Sequence, residues 1–173
     1  TGELVPDSLI IEIGSNIIDS EKAEGGVIFD GFPRTINQAE KLLEILKQRD
    51  LVIDLVLDIF SNDKIITDRL SSRWVCPYCG RAYNMMTAPP KKNMRCDFDD
   101  TPLIQRDDDT PKVIKRRLKV YKEQSKPILD LYIAKSIPYI RVDSTGTIEK
   151  CWEKILNSLF EINIIDKKTY DSN

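Results

Sequence analysis

The sequence contains no histidine, and its 173 residues hold only seven glycines and four cysteines. Because imidazole is the side chain that most often moves protons near neutral pH, histidine-based catalysis and metal binding are excluded. No apolar run reaches the roughly 18 residues that a membrane-spanning helix needs. The start, TGELVPDSLI, also lacks the basic-then-apolar layout of a signal peptide. We therefore expect a soluble cytoplasmic protein that relies on carboxylates, cations and positioning.

An excess of one charge is lacking as well. The chain has 26 basic and 28 acidic side chains, a formal net charge of -2, which excludes a globally basic nucleic-acid-binding protein. A basic cluster does lie between Lys112 and Lys122, but the acidic triplet Asp107-Asp108-Asp109 precedes it. With 41% hydrophobic residues the chain is also not disordered. We expect neither a nucleic acid nor a membrane as a partner.

The apolar pattern predicts strands that alternate with helices. We predict buried strands at 27–30, 52–60 and 137–142, and helices at 7–18, from Thr35 to about Arg49, after a cap at Ser61, from Thr110 and from Thr147. Asp7 is expected to cap the first helix, and Thr35 with Gln38 fits a capping box. Pro127 should bend or end the helix that begins at Thr110. This alternation is typical of an α/β domain with a parallel sheet.

One stretch, Trp74 to Asp109, interrupts the alternation with three of the cysteines and little periodicity. So short a segment cannot form a hydrophobic core large enough to keep it folded. It therefore needs an additional stabilising element such as a bound metal ion. The C-x2-C…C-x2-D spacing predicts a structural zinc site formed by Cys76, Cys79, Cys96 and Asp99. The alternative interpretation is three buried cysteines beside a solvated acidic loop, in which Asp97 or Asp100 would matter as much as Asp99.

A second motif, Asp30-Gly31-Phe32-Pro33-Arg34-Thr35, follows the predicted strand 27–30, where α/β sheets place their ligands. Asp30 can orient a magnesium ion there, and the Arg34 fork can bind a phosphate. A plain Asp-Gly turn before a capped helix explains the same residues without any function. Further arginines favour a phosphate-rich ligand, because guanidinium groups suit phosphate oxygens: Arg69, Arg73, Arg106 and Arg117.

Together these residues resemble the adenylate kinases of the long, lid-bearing, zinc-containing bacterial type. The family landmarks, in chain order, are GELVPD, DGFPRTINQA, a DRL…R helix, C-x2-C…C-x2-D, QRDDD and KRRL. The resemblance implies a P-loop-kinase-like, doubly wound parallel sheet with an inserted zinc-binding lid. It also implies reversible phosphoryl transfer from Mg-ATP to AMP, giving two ADP, by an enzyme that is monomeric when complete.

The resemblance assigns one group of residues to AMP. By family position, Arg34 would hold the AMP phosphate and Gln38 its adenine. Gly31 would contact the same base through its backbone. Leu4 and Val5 would line the pocket.

A second group is assigned by the resemblance to ATP. Arg69 would lie near the adenine and Arg73 on the phosphates, while Tyr83 would lie near the ribose and base. Gly146 would approach the adenine through its backbone.

The remaining implied roles concern the transferring phosphoryl group. Arg106 and Arg117 would close over it from the lid, and Asp30 would organise magnesium through water. Asp108 and Asp109 would pair the lid arginines.

The family's phosphate-binding loop, G-x-x-x-x-G-K-[ST], does not occur in these 173 residues. In the family this loop and its strand precede the segment that matches GELVPD. We therefore expect a truncated or incomplete form that is inactive by itself. We assign residues 1–18 to the remainder of the AMP-binding region, 19–72 and 111–173 to the core, and 73–110 to the lid. Two alternatives are a non-catalytic, zinc-bearing nucleotide-binding fragment and a kinase for another nucleoside monophosphate.

Overall fold

A computed structural model describes residues 5–20 and 23–166 of the chain. Its main elements, in chain order, are α1 (Asp7–Ile18), α2 (Ile36–Lys47), β1 (Val56–Phe60), α3 (Asp63–Ser71), β2 (Arg73–Val75), β3 (Ala82–Asn84), α4 (Pro111–Val120), α5 (Lys126–Ala134), β4 (Tyr139–Asp143) and α6 (Ile148–Glu161). The predicted α/β class is confirmed. Among the described residues, no helix has both the length and the apolar character that crossing a bilayer demands.

The chain divides into two compact units. The first comprises the described residues up to Val52 together with Asp63–Leu131, and the second comprises Ile53–Asn62 and the described residues from Tyr132 onward. The first therefore holds α1 to α4 and the cysteine-rich segment, whereas the second holds β1, β4 and α6.

The second unit is built on the parallel pair β1–β4, in which Val56 lies opposite Tyr139. Ile140 and Val142 pack with Ile155 of α6 as its core. Both strands are shorter than predicted at their start. Since Pro138 has no N–H to donate, β4 begins after it, and its carbonyl accepts the Val56 N–H at 2.9 Å. The parallel sheet is confirmed, with two strands in the described residues.

The strand predicted at 27–30 is wrong. Residues 27–30 have no strand pairing, and Ile28 is 96% exposed. An apolar run marks a candidate strand, but a strand exists only where a neighbour accepts its backbone hydrogen bonds. Asp30 therefore lies in an exposed bend and not at a strand end.

Helices α1 and α2 pack together in the first unit and are tied at both ends. Asp7 is not the predicted cap, because it is the first helical residue after Pro6. Its carboxylate instead accepts hydrogen bonds from the start of α2. At the other end Arg49 forms a bidentate ion pair with Asp19, with both distances 2.5 Å. Gly14 faces the Phe32 ring, which an added Cβ would approach to 3.4 Å, so α1 lies against the Gly-Phe-Pro turn.

Helix boundaries follow local capping in most places. Thr35 caps α2 through its side chain, as predicted, and Thr147, predicted to open the last helix, caps α6 in the same way. Ser61 was predicted to cap the third helix, but α3 begins at Asp63. The Ser61 hydroxyl is buried without a hydrogen-bond partner in the described structure, so that prediction is wrong. The expected interruption near Pro127 is present as a π-helical turn, Tyr121–Ser125. This turn accommodates the helical hydrogen bond that is missing because proline has no backbone N–H.

The lid segment, Arg73–Thr110, starts with β2 and ends before α4. Strands β2 and β3 form an antiparallel hairpin, and Ile104 bridges to Val75 on the other side of β2. Its small core contains two cysteines, an aromatic ring and one aliphatic side chain: Cys76, Tyr83, Cys96 and Leu103. So small a core agrees with the expectation that another element must hold the segment together.

Candidate functional site

The lid brings its predicted metal ligands together. The candidate ligand atoms of Cys76, Cys79, Cys96 and Asp99 all lie within 4.8 Å of one another. The Sγ atoms of Cys79 and Cys96 are 3.6 Å apart, and the Asp99 carboxylate oxygens lie 3.3 and 3.4 Å from Cys76 Sγ. Four converging donors, three of them sulfur, suit a divalent ion that prefers tetrahedral coordination.

The two competing carboxylates are engaged elsewhere. Asp97 Oδ1 accepts the backbone N–H of Lys91 at 2.8 Å. Asp100 forms ion pairs with Lys92 and Arg95, at 2.8 and 3.1 Å. Of the three aspartates that the sequence left open, Asp99 is therefore the one that fits the cluster.

Hydrogen bonds around the sulfurs favour a thiolate at Cys96 but a protonated thiol at Cys79. The backbone N–H of Cys79 points at Cys76 Sγ, and that of Phe98 points at Cys96 Sγ, each at 3.4 Å. Desolvation raises the pKa of the Cys96 thiol, but hydrogen bonds from Tyr83 and nearby backbone groups outweigh it and bring that pKa below its ordinary value. The hydrogen bond from Cys79 likewise lowers the pKa of Asp99. A backbone hydrogen bond with Arg81 lowers the pKa of Cys79, but hydrogen bonds with Asp99, Cys76 and Cys96 together with desolvation outweigh it and raise that pKa to about 12. A bound metal ion would have to displace this proton.

Tyr83 belongs to this cluster. Its hydroxyl donates to Cys96 Sγ at 3.4 Å and accepts the Asp97 N–H at 2.7 Å, and only 7% of the residue is exposed. The ring and hydroxyl of Tyr83 are engaged inside the lid core, and its expected contact with the ATP ribose and base stays a prediction.

Three predicted arginines converge on two aspartates at the exit of the lid. Arg73 donates to both carboxylate oxygens of Asp109, at 2.8 and 2.7 Å, and Asp109 is fully buried. Arg106 donates to both oxygens of Asp108, at 2.8 and 2.9 Å. Arg117 of α4 reaches both aspartates, at 3.2 and 3.6 Å. The aspartates belong to a 3-10 turn, so one short turn fixes all three guanidinium groups. We call these five residues the arginine cluster.

The arginine cluster carries more positive than negative charge. The hydrogen bond to Asp109 raises the pKa of Arg73, so this side chain stays charged. Burial raises the pKa of Asp108, but Arg106 and Arg117 outweigh that effect and lower it. Each guanidinium has five N–H donors, and the aspartates use only some of them. An open pocket of about 360 Å³ lies beside the cluster, lined by residues 104–108. The arrangement can hold a polyanion such as a phosphate chain.

The predicted AMP-side residues surround the start of α2. Gly31 has a φ of +70°, a backbone conformation that strains any residue with a Cβ, and an added Cβ would lie 2.6 Å from the end of the flexible Arg34 side chain. The exposed Arg34 side chain donates from Nε to the Gly31 carbonyl at 2.5 Å. Gln38 is only 3% exposed, and its amide lies between Arg34 and Asp7. The Asp7 network is the feature that sequence patterns missed, because its partners are about thirty residues away.

Three other predicted site residues lie outside the groups described above, and a fourth is not among the described residues. Arg69 lies in the last turn of α3, where its carbonyl accepts a hydrogen bond from Asn84 of β3 at 3.1 Å. Val5 is half exposed ahead of α1. Gly146 lies in the second unit with a φ of +106° and open space beside its Cα. Leu4 lies outside the described residues.

Comparisons with known proteins show the family of the chain. Residues 1–137 match the family model described as adenylate kinase. An adenylate kinase of Hydrogenobaculum sp. is 45% identical over 158 residues, which are 91% of this chain and 74% of that protein. An adenylate kinase of Archaeoglobus fulgidus is 40% identical over 154 residues, 89% of this chain and 70% of that protein. Adenylate kinase 4 of Arabidopsis thaliana is 43% identical over 136 residues, 79% of this chain and 55% of that protein. The chain therefore belongs to the adenylate kinase family.

Proposed function

We propose that the intact enzyme catalyses reversible phosphoryl transfer from Mg-ATP to AMP, and that this chain supplies its lid and much of its nucleotide site. Membership of the adenylate kinase family makes it a nucleoside monophosphate kinase. The observation that carries the residue assignments is the convergence of Arg73, Arg106 and Arg117 on Asp108 and Asp109. A non-catalytic nucleotide-binding module would not need three arginines held in one place.

The arginine cluster suits this chemistry because phosphoryl transfer requires positioning and charge neutralisation more than covalent work. Asp108 and Asp109 hold the guanidinium forks in place before the substrate enters, so little reorganisation remains for the transition state. Arg73 would contact the ATP phosphates, and Arg106 and Arg117 would neutralise the charge on the transferring group. The exposed Asp30 would hold magnesium through water, and the ion would supply charge neutralisation for the phosphates.

The proposed ion in the lid is zinc, held by Cys76, Cys79, Cys96 and Asp99. All four positions would be filled by protein atoms, which is the arrangement of structural zinc sites. Its contribution would be to hold the lid hairpin in shape. Arg69 and the backbone at Gly146 are proposed to contact the ATP adenine. The 173 residues alone, which contain no phosphate-binding loop string, are proposed to be inactive.

On the AMP side we expect Arg34→Ala to raise the KM for AMP by about 10- to 100-fold, because a hydrogen bond to a charged group contributes about 1.5–3 kcal/mol. The KM for ATP should change little. Steady-state kinetics of the intact enzyme with each nucleotide varied in turn measures both constants. Lys41→Ala is the matched control, since Lys41 is an exposed cation of α2 that pairs with Glu44. An equal rise in both KM values would overturn the assignment of Arg34 to AMP.

A further inference from the structure

Asp7 makes three hydrogen bonds that serve no helix cap. Its carboxylate accepts from Thr35 Oγ1 at 3.0 Å, from Asn37 Nδ2 at 2.8 Å and from Gln38 Nε2 at 2.7 Å. The first two donors meet Oδ2, and Gln38 alone meets Oδ1. One oxygen of the Asp7 carboxylate, Oδ1, therefore binds the side chain of Gln38.

The two ends of the Gln38 amide face groups of opposite kind. An ionised carboxylate can only accept, so it requires the Gln38 NH₂ group on its side. The backbone N–H of Arg34 can only donate, and it meets Gln38 Oε1 at 2.7 Å. Rotating the amide by half a turn would put oxygen against carboxylate and NH₂ against N–H. The hydrogen bond from Asn37, with those from Gln38 and Thr35, outweighs desolvation and lowers the pKa of Asp7, which keeps the carboxylate ionised.

We propose that Asp7 is a positioning residue that fixes the orientation of the Gln38 amide and thereby makes the monophosphate site selective for adenine. The inference rests on the proposed contact between Gln38 and the adenine of AMP. Each polar atom of the amide keeps one further hydrogen-bonding position, a hydrogen on Nε2 and a lone pair on Oε1. Adenine offers an amino donor at position 6 next to ring-nitrogen acceptors, which matches that pair. Hypoxanthine and guanine carry an oxygen at position 6, which would face Oε1 without a proton between them.

A fixed amide discriminates better than a mobile one. A glutamine amide that can rotate offers its donor or its acceptor to either base. Binding the wrong base then costs little binding free energy. A site whose buried polar groups are held in one arrangement leaves them unpaired when the wrong base enters, and this produces large rejection factors. Gln38 is 3% exposed, so its amide has little room to adapt.

The test compares AMP with IMP as phosphoryl acceptors for the intact enzyme. The amide introduced by Asp7→Asn cannot accept on both sides: facing Thr35 and Asn37 with its oxygen, it turns its NH₂ towards Gln38. We expect the ratio of kcat/KM for AMP over IMP to fall by about tenfold or more, the equivalent of one charge-assisted hydrogen bond. Asp7→Ser, which is too short to reach Gln38, should lower the ratio as well and serves if Asp7→Asn does not fold.

Two controls separate positioning from structure. Asn37→Ala removes a hydrogen bond to the same carboxylate but leaves the Gln38 contact, so it should lower the melting temperature without changing the ratio. Gln38→Ala should lower the ratio directly. If Gln38→Ala lowers the ratio while the folded Asp7 variants keep the parental value, the inference about Asp7 is overturned. If Gln38→Ala itself keeps the parental ratio, the proposed contact between Gln38 and adenine is wrong, and the inference fails with it.

Discussion

Replacing Arg73 by lysine is expected to lower kcat of the intact enzyme by about 10²- to 10³-fold, the cost of removing one preorganised donor to developing charge. Lysine keeps the positive charge but not the planar fork that binds both oxygens of Asp109. It is preferred to alanine because Asp109 is fully buried: breaking its bidentate pair would leave Arg117, 3.6 Å away, as its ionic partner in the described structure, at a cost of about 3–5 kcal/mol of folding free energy. The measurement is steady-state turnover at saturating ATP and AMP, with thermal melting of each variant.

The control for Arg73→Lys is Arg81→Lys in the same lid. Arg81 stacks on the Phe98 ring, 5.5 Å from its centroid, and lies outside the arginine cluster. We expect this control to keep the parental kcat. Arg73→Lys with parental turnover and parental melting would show that the cluster has no part in phosphoryl transfer.

The second large effect concerns the metal cluster. Purified protein should contain about one zinc ion per chain, and Cys96→Ser should lose it, because a structural site needs all four ligands. Since binding energy at such sites is folding energy, about 10–16 kcal/mol in small zinc domains, the lid should then lose its ordered structure. Elemental analysis measures the metal, and limited proteolysis with mass mapping locates cleavage between residues 73 and 110.

Cys151→Ser provides the matched control for the metal prediction. Cys151 packs against the core of the second unit and is not part of the cluster. It should leave metal content and lid cleavage unchanged. Parental protein without metal, together with equal cleavage of both serine variants, would contradict the proposed zinc site.

Local features were the most predictable from the sequence. The spacing of Cys76, Cys79 and Cys96 predicted a cluster because two-residue loops place their ends together whatever surrounds them. The cap at Thr35 and the helix start at Thr147 were predictable for the same reason, since the capping hydrogen bonds span three residues. The sequence pattern singled out the arginines of the arginine cluster, but their pairing with Asp108 and Asp109 required the resemblance to the family, because the members are spread from Arg73 to Arg117.

The predictions that were wrong concern features that depend on residues far away in the sequence. Residues 27–30 had the composition of a strand but no pairing in the described structure. Asp7 had the position of a cap, yet its carboxylate found donors on another helix. In each case propensity or position suggested a role, and tertiary contacts decided otherwise.

The most direct test of the central claim follows the phosphoryl group itself. The intact enzyme is incubated with Mg-ATP and isotopically labelled AMP, and the labelled products are separated. The account predicts labelled ADP, formed only when both nucleotides are present and in equal amount to the ADP derived from ATP. Labelled CMP or UMP in place of labelled AMP should give far less labelled diphosphate. Release of inorganic phosphate from ATP that is independent of AMP, with no labelled ADP, would contradict it.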